Sequence, residues 1–221
     1  MTRFTSGPLR VLVVLAMGMI ASACMIVGVR GSGNVITEMR DVTGFSEIVV
    51  GGSGVVRVDV TGTEALSIEA EDNIMPLLET TVTNGRLVLD TTRSISPTVD
   101  VVYTITAATL EGLEVSGSAA VDASGIDATD FSVQISGSGD VVAAGTLDRL
   151  LSISISGSGE FDGESLTAPD GNVEISGSGS AVVDVTENLD VSVSGSGNVD
   201  YLGTPAVDID TSGSGNVSQR D

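Results

Sequence analysis

The chain has 221 residues, with 30 acidic and nine basic side chains and a formal net charge of −21. So strong a negative field repels phosphate backbones, and nucleic acid is therefore not expected as a partner. Histidine is absent and cysteine occurs once, which excludes Ser-His-Asp and Cys-His catalysis and most zinc or haem sites. We expect that the protein is not an enzyme and that it has neither a cofactor nor a specific metal site.

Residues 1–23 predict a lipoprotein-type signal peptide. Arg3 and Arg10 form a basic start, residues 11–20 are apolar, and Ala21-Ser22-Ala23 supplies small residues for cleavage. The segment 20–24 resembles a bacterial lipobox, in which the cysteine is lipid-modified and becomes the first mature residue. We therefore predict cleavage after Ala23, lipidation of Cys24, and an extracytoplasmic protein of the bacterial cell envelope that is anchored to a membrane by lipid.

Two alternatives remain open for this segment. Ala21-Ser22-Ala23 also fits ordinary signal cleavage, which releases a soluble protein. The uncharged run from Val11 to Val29 is long enough for a membrane-spanning helix. However, Val27 and Val29 lie four and two places before Gly31-Ser32-Gly33, as apolar residues do in later repeats. We therefore assign residues 24–30 to the anchor and a first strand.

Residues 31–116 are predicted to form less regular coils of a repeat structure. A second Gly-Ser-Gly begins at Gly52, but the next copy begins 65 residues later, an interval of about three periods. Within this interval Asn84-Gly85 predicts a tight hairpin turn between strand-like segments. Residues 72–81 indicate a short helical turn, which Pro76 limits.

Residues 117–221 form a regular array. The turns begin at glycines 117, 137, 157, 177, 195 and 213, in steps of 18 or 20 residues. Apolar residues stand four and two places before each of the first five glycines, and Ile209 stands four places before the last, which is the period of a strand with one buried face. In the first copy Ala119 replaces the second glycine.

Two architectures can use this unit. In an antiparallel meander, Gly-Ser-Gly would be a hairpin loop; in a parallel solenoid it is one corner of every coil. The solenoid also explains why the same residue types recur at the same phase, and it places Ser136, Ser156, Ser176, Ser194 and Ser212 in one row. We therefore predict an all-β fold, a parallel β-helix or β-solenoid of about ten coils, with about 18–21 residues in each coil. We expect the protein to be a monomer.

The carboxylates are the remaining candidates for chemistry. Asp140 and Glu160 would stack on adjacent coils about 5 Å apart, a separation that retaining glycosidases use. A carbohydrate-active enzyme is therefore the rival hypothesis, although stacking alone brings these residues together. Calcium could bridge such a pair, but the nine-residue period of calcium β-rolls is absent.

Several segments resemble one known family when they are taken in their order along the chain. They are Gly31-Ser32-Gly33-Asn34-Val35, residues 42–50, residues 72–74, residues 82–87, and the Ser-Gly-Ser-Gly turns that follow. Residues 31–217 resemble the bacterial putative auto-transporter adhesin family with a head GIN domain. The resemblance implies an envelope protein, often a lipoprotein, with a β-helical fold, no established activity and no defined functional residues. A surface protein or a glycan is the expected ligand of such a protein.

Overall fold

The computed structural model describes residues 28–220, which form seventeen β-strands and one short 3-10 helix. The elements are β1 Val29–Arg30, β2 Val35–Arg40, β3 Glu47–Gly52, β4 Val55–Val60, β5 Ala65–Glu71, the 3-10 helix Met75–Leu77, β6 Leu78–Thr83, β7 Arg86–Thr91, β8 Ile95–Ser96, β9 Val102–Ala107, β10 Gly112–Gly117, β11 Ala120–Gly137, β12 Asp140–Gly157, β13 Glu160–Gly177, β14 Ser180–Gly195, β15 Asn198–Leu202, β16 Ala206–Gly213 and β17 Asn216–Gln219. The predicted all-β class is confirmed.

The repeats stack in parallel and in register, as the solenoid hypothesis predicts. Residues 132–137 pair with 152–157, and these pair with 172–177, so that each Gly-Ser-Gly turn lies over the preceding one. The predicted serine row is confirmed: Ser136 pairs with Ser156, and the row continues through Ser176 and Ser194 to Ser212. The antiparallel meander is therefore wrong for the regular array.

Close backbone contact explains the glycines of these turns. The Ser158 amide donates to the Gly137 carbonyl oxygen at 2.8 Å, and the Glu160 amide donates to the Gly139 carbonyl oxygen at 3.1 Å. Gly157 has φ +129°, and a Cβ added there would lie 2.4 Å from the Gly137 carbonyl oxygen. Only glycine fits both this dihedral angle and the space between coils.

The long strands β11 to β14 bend at the coil corners and contribute to two sheet faces. The front sheet has the order β6-β7-β3-β10, followed by the C-terminal parts of β11 to β14 and by β16. The back sheet has the order β2-β5-β9-β4, followed by the N-terminal parts of the same long strands, β15 and β17. Between the two sheets lies one thin core.

Side chains that share a level of this core complement each other in size. Phe161 is fully buried, and a Cβ added to Gly163 would lie 2.6 Å from its ring atom Cε1. Within β11 to β14, a smaller residue at the first of these positions goes with a larger one at the second, whereas the first coil carries valine at both, Val56 and Val58. The equivalent buried pairs are Val121 with Ala123, Val141 with Ala143, Phe161 with Gly163, and Ala181 with Val183. Complementary volumes keep the core filled without voids.

The interval between the second and third Gly-Ser-Gly copies does not form three stacked coils. Residues 112–117 pair directly with 47–52, so Gly52 and Gly117 are neighbours although 65 residues separate them. The intervening chain instead covers the outer side of the first coil, since β7 pairs with β3 and β9 pairs with β4. The strands β2, β5 and β6 add antiparallel pairings there. We call residues 28–107, without the coil 47–60, the N-terminal cap.

Local predictions within the cap hold better than its predicted stacking. β6 and β7 form the hairpin predicted from Asn84-Gly85, and both turn residues have positive φ, 52° and 79°. The 3-10 helix lies within the predicted helical turn. The prediction of about ten coils is wrong, because the solenoid has about 5 turns and the cap occupies the rest of the described chain.

Candidate binding groove

The outer side of the front sheet is a polar face with two main rows of side chains. The first row starts with Arg86 and Glu47 and reaches Asp208; the second includes Glu114 and Gln134 and reaches Asp210. In the first row the position on β10 is a glycine, Gly112, where the following coils carry Ser132, Ser152 and Asn172. The missing side chain leaves a dent in an otherwise continuous row.

A concavity of about 320 Å³ lies at this dent. Glu47, Arg86, Glu114 and Gln134 supply its charged and amide groups. The Arg86 side chain starts on β7 and spans β3: its Nε lies 3.2 Å from Glu47 Oε2, and its Nη2 donates to Glu114 on β10. Glu114 therefore holds the guanidinium by a hydrogen bond, whereas Glu47 adds only an ion pair, since Nε has no hydrogen-bond partner.

A second concavity of about 410 Å³ adjoins the first, and Ser132 lines both. Its polar lining includes Glu111, Thr129 and Asp130, and Arg149 forms an ion pair with Asp130. Together the two concavities form what we call the front groove, which extends over β10 and its neighbouring coils. Volumes of several hundred Å³ are in the range of small-molecule sites, which are usually more apolar than this groove.

The carboxylates predicted from the sequence lie elsewhere. Asp140 and Glu160 are paired in register on adjacent coils, as predicted, but they belong to the back sheet and are exposed. Neither residue lines the front groove or the third concavity, at residues 172, 190–192, 208 and 210. The structure thus brings the pair together without enclosing it.

The predicted anchor lies outside the described residues. This applies to the signal peptide, to cleavage after Ala23, to lipidation of Cys24 and to the strand residue Val27. Within residues 28–220 no helix is long and apolar enough to cross a membrane. In the same range no group of three or more His, Cys, Asp or Glu side chains is arranged to hold a metal ion.

The first Gly-Ser-Gly, at residues 31–33, has a different role from the later copies. Val29 pairs with Ile95 in a separate two-stranded sheet, so this copy is not stacked on the solenoid as the sequence predicted. Instead the turn receives the buried carboxylate of Glu71, to which the Gly33 amide donates at 2.6 Å and the Thr98 amide at 2.9 Å. The Thr98 hydroxyl also donates, and this bond is the main cause that holds the pKa of Glu71 below its ordinary value.

Asp72 fixes the same turn from its exposed side. It accepts a hydrogen bond of 2.6 Å from the Ser32 hydroxyl and one of 2.9 Å from the Asn34 amide group. The bond from Ser32 is the largest contribution to the lowered pKa of Asp72. We call residues 31–34 with Glu71, Asp72 and Thr98 the N-terminal clasp, because it fastens the start of the described chain to the cap.

Fold and groove define a β-solenoid with a capped N-terminal end and a polar groove on one face. The sequence model of one family, described as "putative auto-transporter adhesin, head GIN domain", matches residues 44–205. The chain belongs to this family, and the resemblance seen in its sequence is confirmed. No curated protein matches the chain.

Solved structures show the same fold. A putative adhesin from Bacteroides fragilis is 23% identical, with a TM-score of 0.71 over 87% of this chain and 100% of its own. A putative lipid binding protein from Parabacteroides distasonis is 21% identical, with a TM-score of 0.58 over 87% of this chain and 99% of its own. A putative adhesin from Parabacteroides merdae is 19% identical, with a TM-score of 0.56 over 88% and 99%.

Proposed function

We propose that this protein is a non-enzymatic lipoprotein of the bacterial cell envelope, anchored through Cys24, which binds a polar ligand in the front groove. Membership of an adhesin-like family supports a surface or extracytoplasmic protein. The groove carries the binding proposal, since it is the place on the front face where a row of side chains is interrupted by Gly112. Its ligand is a glycan or a protein of the cell surface.

The chemistry of the groove fits a ligand rich in hydroxyl or amide groups. Glu47 and Glu114 neutralise Arg86 and leave a net negative charge, so the groove disfavours an anionic partner. The fixed guanidinium, the carboxylates and the Gln134 amide offer paired donors and acceptors at short spacing. Preorganised groups of this kind lose little conformational entropy on binding.

Filling the dent tests the binding site. The Gly112→Asn substitution places in β10 the residue that the same row carries at Asn172. A Cβ at residue 112 would lie 3.1 Å from Ser132 Oγ and 3.2 Å from Glu47 Cγ, so small side-chain shifts accommodate it. We expect unchanged folding and at least about tenfold weaker binding, the effect of losing about 1.4 kcal/mol, to the ligand found on a panel of surface glycans and envelope proteins.

Asn172→Ser, in the same row but outside the groove, is the matched control and should bind as the parent chain does. Equal binding by the Gly112→Asn chain would place the ligand elsewhere. Glycan cleavage by the parent chain that is lost in Asp140→Asn would instead support the carbohydrate-active enzyme.

The anchor is tested separately by the intact mass of the mature protein from the membrane fraction of its host. We expect a chain that starts at Cys24 and carries diacylglycerol, with or without an N-acyl chain. An unmodified chain would indicate a released protein, and a full-length chain would indicate an uncleaved membrane helix. Either result would refute the lipid anchor but would not affect the proposal that the front groove binds a ligand.

A further inference from the structure

The N-terminal cap holds most of the large hydrophobic side chains that are exposed in the described chain. β2 is an edge strand that pairs only with β5 among the described strands, and its residues 35–39 are all exposed. Met39 is 68% exposed, and Val35 and Ile36 are 45% and 38% exposed. Val99, next to Thr98 of the clasp, is 45% exposed. The cap thus holds four of the six large hydrophobic side chains that are exposed in the described chain.

Charge is distributed unevenly along the molecule. Residues 28–107 contain 11 acidic and 5 basic side chains, whereas residues 108–221 contain 19 acidic and 2 basic ones. Arg30 lies in β1 and Arg93 lies two residues before β8, so the pairing of these strands brings both arginines to one end of the cap. Both are exposed, and within residues 28–220 neither forms an ion pair.

The point of attachment lies at this same end. Only four residue steps separate Cys24 from Gly28, where the described chain begins, and four extended residues span at most about 14 Å. Gly31 to Asn34 are then fastened by the clasp to Glu71 and Asp72. A lipid on Cys24 would therefore hold the cap, and not the acidic coils, against the bilayer.

We propose that the exposed surface of the cap, formed by β2, Val99, Arg30 and Arg93, is a membrane-contacting surface, so that the solenoid stands away from the bilayer. The apolar side chains enter the interfacial region, while the arginines face lipid phosphates. The same orientation keeps the 19 acidic side chains of residues 108–221 away from anionic headgroups. This inference rests on the proposed attachment at Cys24, but it concerns the orientation of the attached protein.

A tryptophan reporter tests this orientation, because the chain has no native tryptophan. Residues 24–221 are coupled through Cys24, the sole cysteine, to a maleimide phospholipid in vesicles of phosphatidylcholine and phosphatidylglycerol with brominated acyl chains. The Met39→Trp chain should show blue-shifted emission and lose most of its fluorescence to bromine quenching. Val142→Trp is the matched control, since Val142 is 46% exposed on a regular coil and should stay unquenched.

Equal quenching of both reporters would show a solenoid that lies flat, and no quenching of either would show a cap held off the surface. Either result overturns the proposal. In the Met39→Trp chain, replacing Arg30 and Arg93 by glutamine should reduce the quenching. The synthetic lipid makes the outcome independent of lipidation in the host, so the mass measurement and this experiment can fail separately.

Discussion

The close fit between Phe161 and Gly163 predicts a compensating pair of substitutions. Phe161→Val removes four carbons from a fully buried side chain, which we expect to destabilise the fold by about 2–3 kcal/mol. Gly163→Ala places a Cβ 2.6 Å from the Phe161 ring and 3.2 Å from the Val182 carbonyl oxygen, which costs about 1–3 kcal/mol. The double variant reproduces the buried pair Val141 with Ala143 of the preceding coil.

The double variant should therefore be much less destabilised than the sum of its parts. In that chain the added methyl group occupies space that the ring has left, and we expect a favourable coupling of at least about 1.5 kcal/mol. Urea unfolding followed by circular dichroism measures the four free energies of the cycle, provided that all variants share one slope. Because repeat proteins can unfold in parts, hydrogen exchange at Val182 checks that the same coil is affected.

A second cycle serves as the control. Ile48 is buried in the front sheet and lies three coils from Ile153, about 14 Å along the solenoid. Ile153 and Gly163 lie on either side of the same turn, between β12 and β13. Ile48→Val and Gly163→Ala should therefore be additive to within about 0.5 kcal/mol. A Phe161 cycle that is equally additive would refute the view that core volume is shared within each coil.

Two further predictions concern the turns and the clasp. Gly157→Ala should lower the free energy of unfolding in urea by at least about 1 kcal/mol more than Gly52→Ala does. Both glycines have positive φ, but a Cβ at residue 157 would contact the Gly137 carbonyl oxygen, whereas nothing lies within 4 Å of a Cβ at residue 52. Equal costs would show that the dihedral angle alone requires glycine. Because their folded-state pKa values are lowered, Glu71 and Asp72 stabilise the clasp above their ordinary pKa values of about 4 and stop doing so as pH falls through the lower folded values. Hydrogen exchange at the Gly33 amide should therefore accelerate below about pH 4 relative to core amides. In the Glu71→Gln chain this amide should exchange fast already at neutral pH. Unchanged protection of Gly33 in that chain would contradict the role of Glu71 in the clasp.

The repeat array could be predicted because its determinants are local. Each coil carries its own apolar period and its own glycine turn, so even the copy with Ala119 pairs in register with its neighbours. The Asn84-Gly85 hairpin was predictable for the same reason, since two residues determine a tight turn. The complementary volumes of Phe161 and Gly163 are visible in the sequence once the coils are aligned.

The cap and the groove could not be predicted because they depend on partners far along the chain. Alternation of apolar and polar residues in β5 and β9 indicates strands, but it does not tell parallel from antiparallel pairing. Arg86 meets Glu114 only because residues 61–111 leave the stack and return beside β3. One local signal was available: Gly112 stands where other coils have Ser132, Ser152 or Asn172, which marks a gap in a surface row.

Identical stacking of successive turns makes a whole coil an exchangeable unit. Each regular turn presents the same backbone donors and acceptors to the turn above and below it, as the bonds from Ser138, Ser158 and Ser178 show. Duplication or loss of 18 or 20 residues would therefore change the length by about 4.8 Å per coil and leave the cap as it is. Insertion of a single residue within a regularly paired segment would turn the following apolar side chains outward, whereas the corners between these segments already contain register shifts of one residue. Related chains can therefore differ in length by whole coils while the N-terminal cap stays the same.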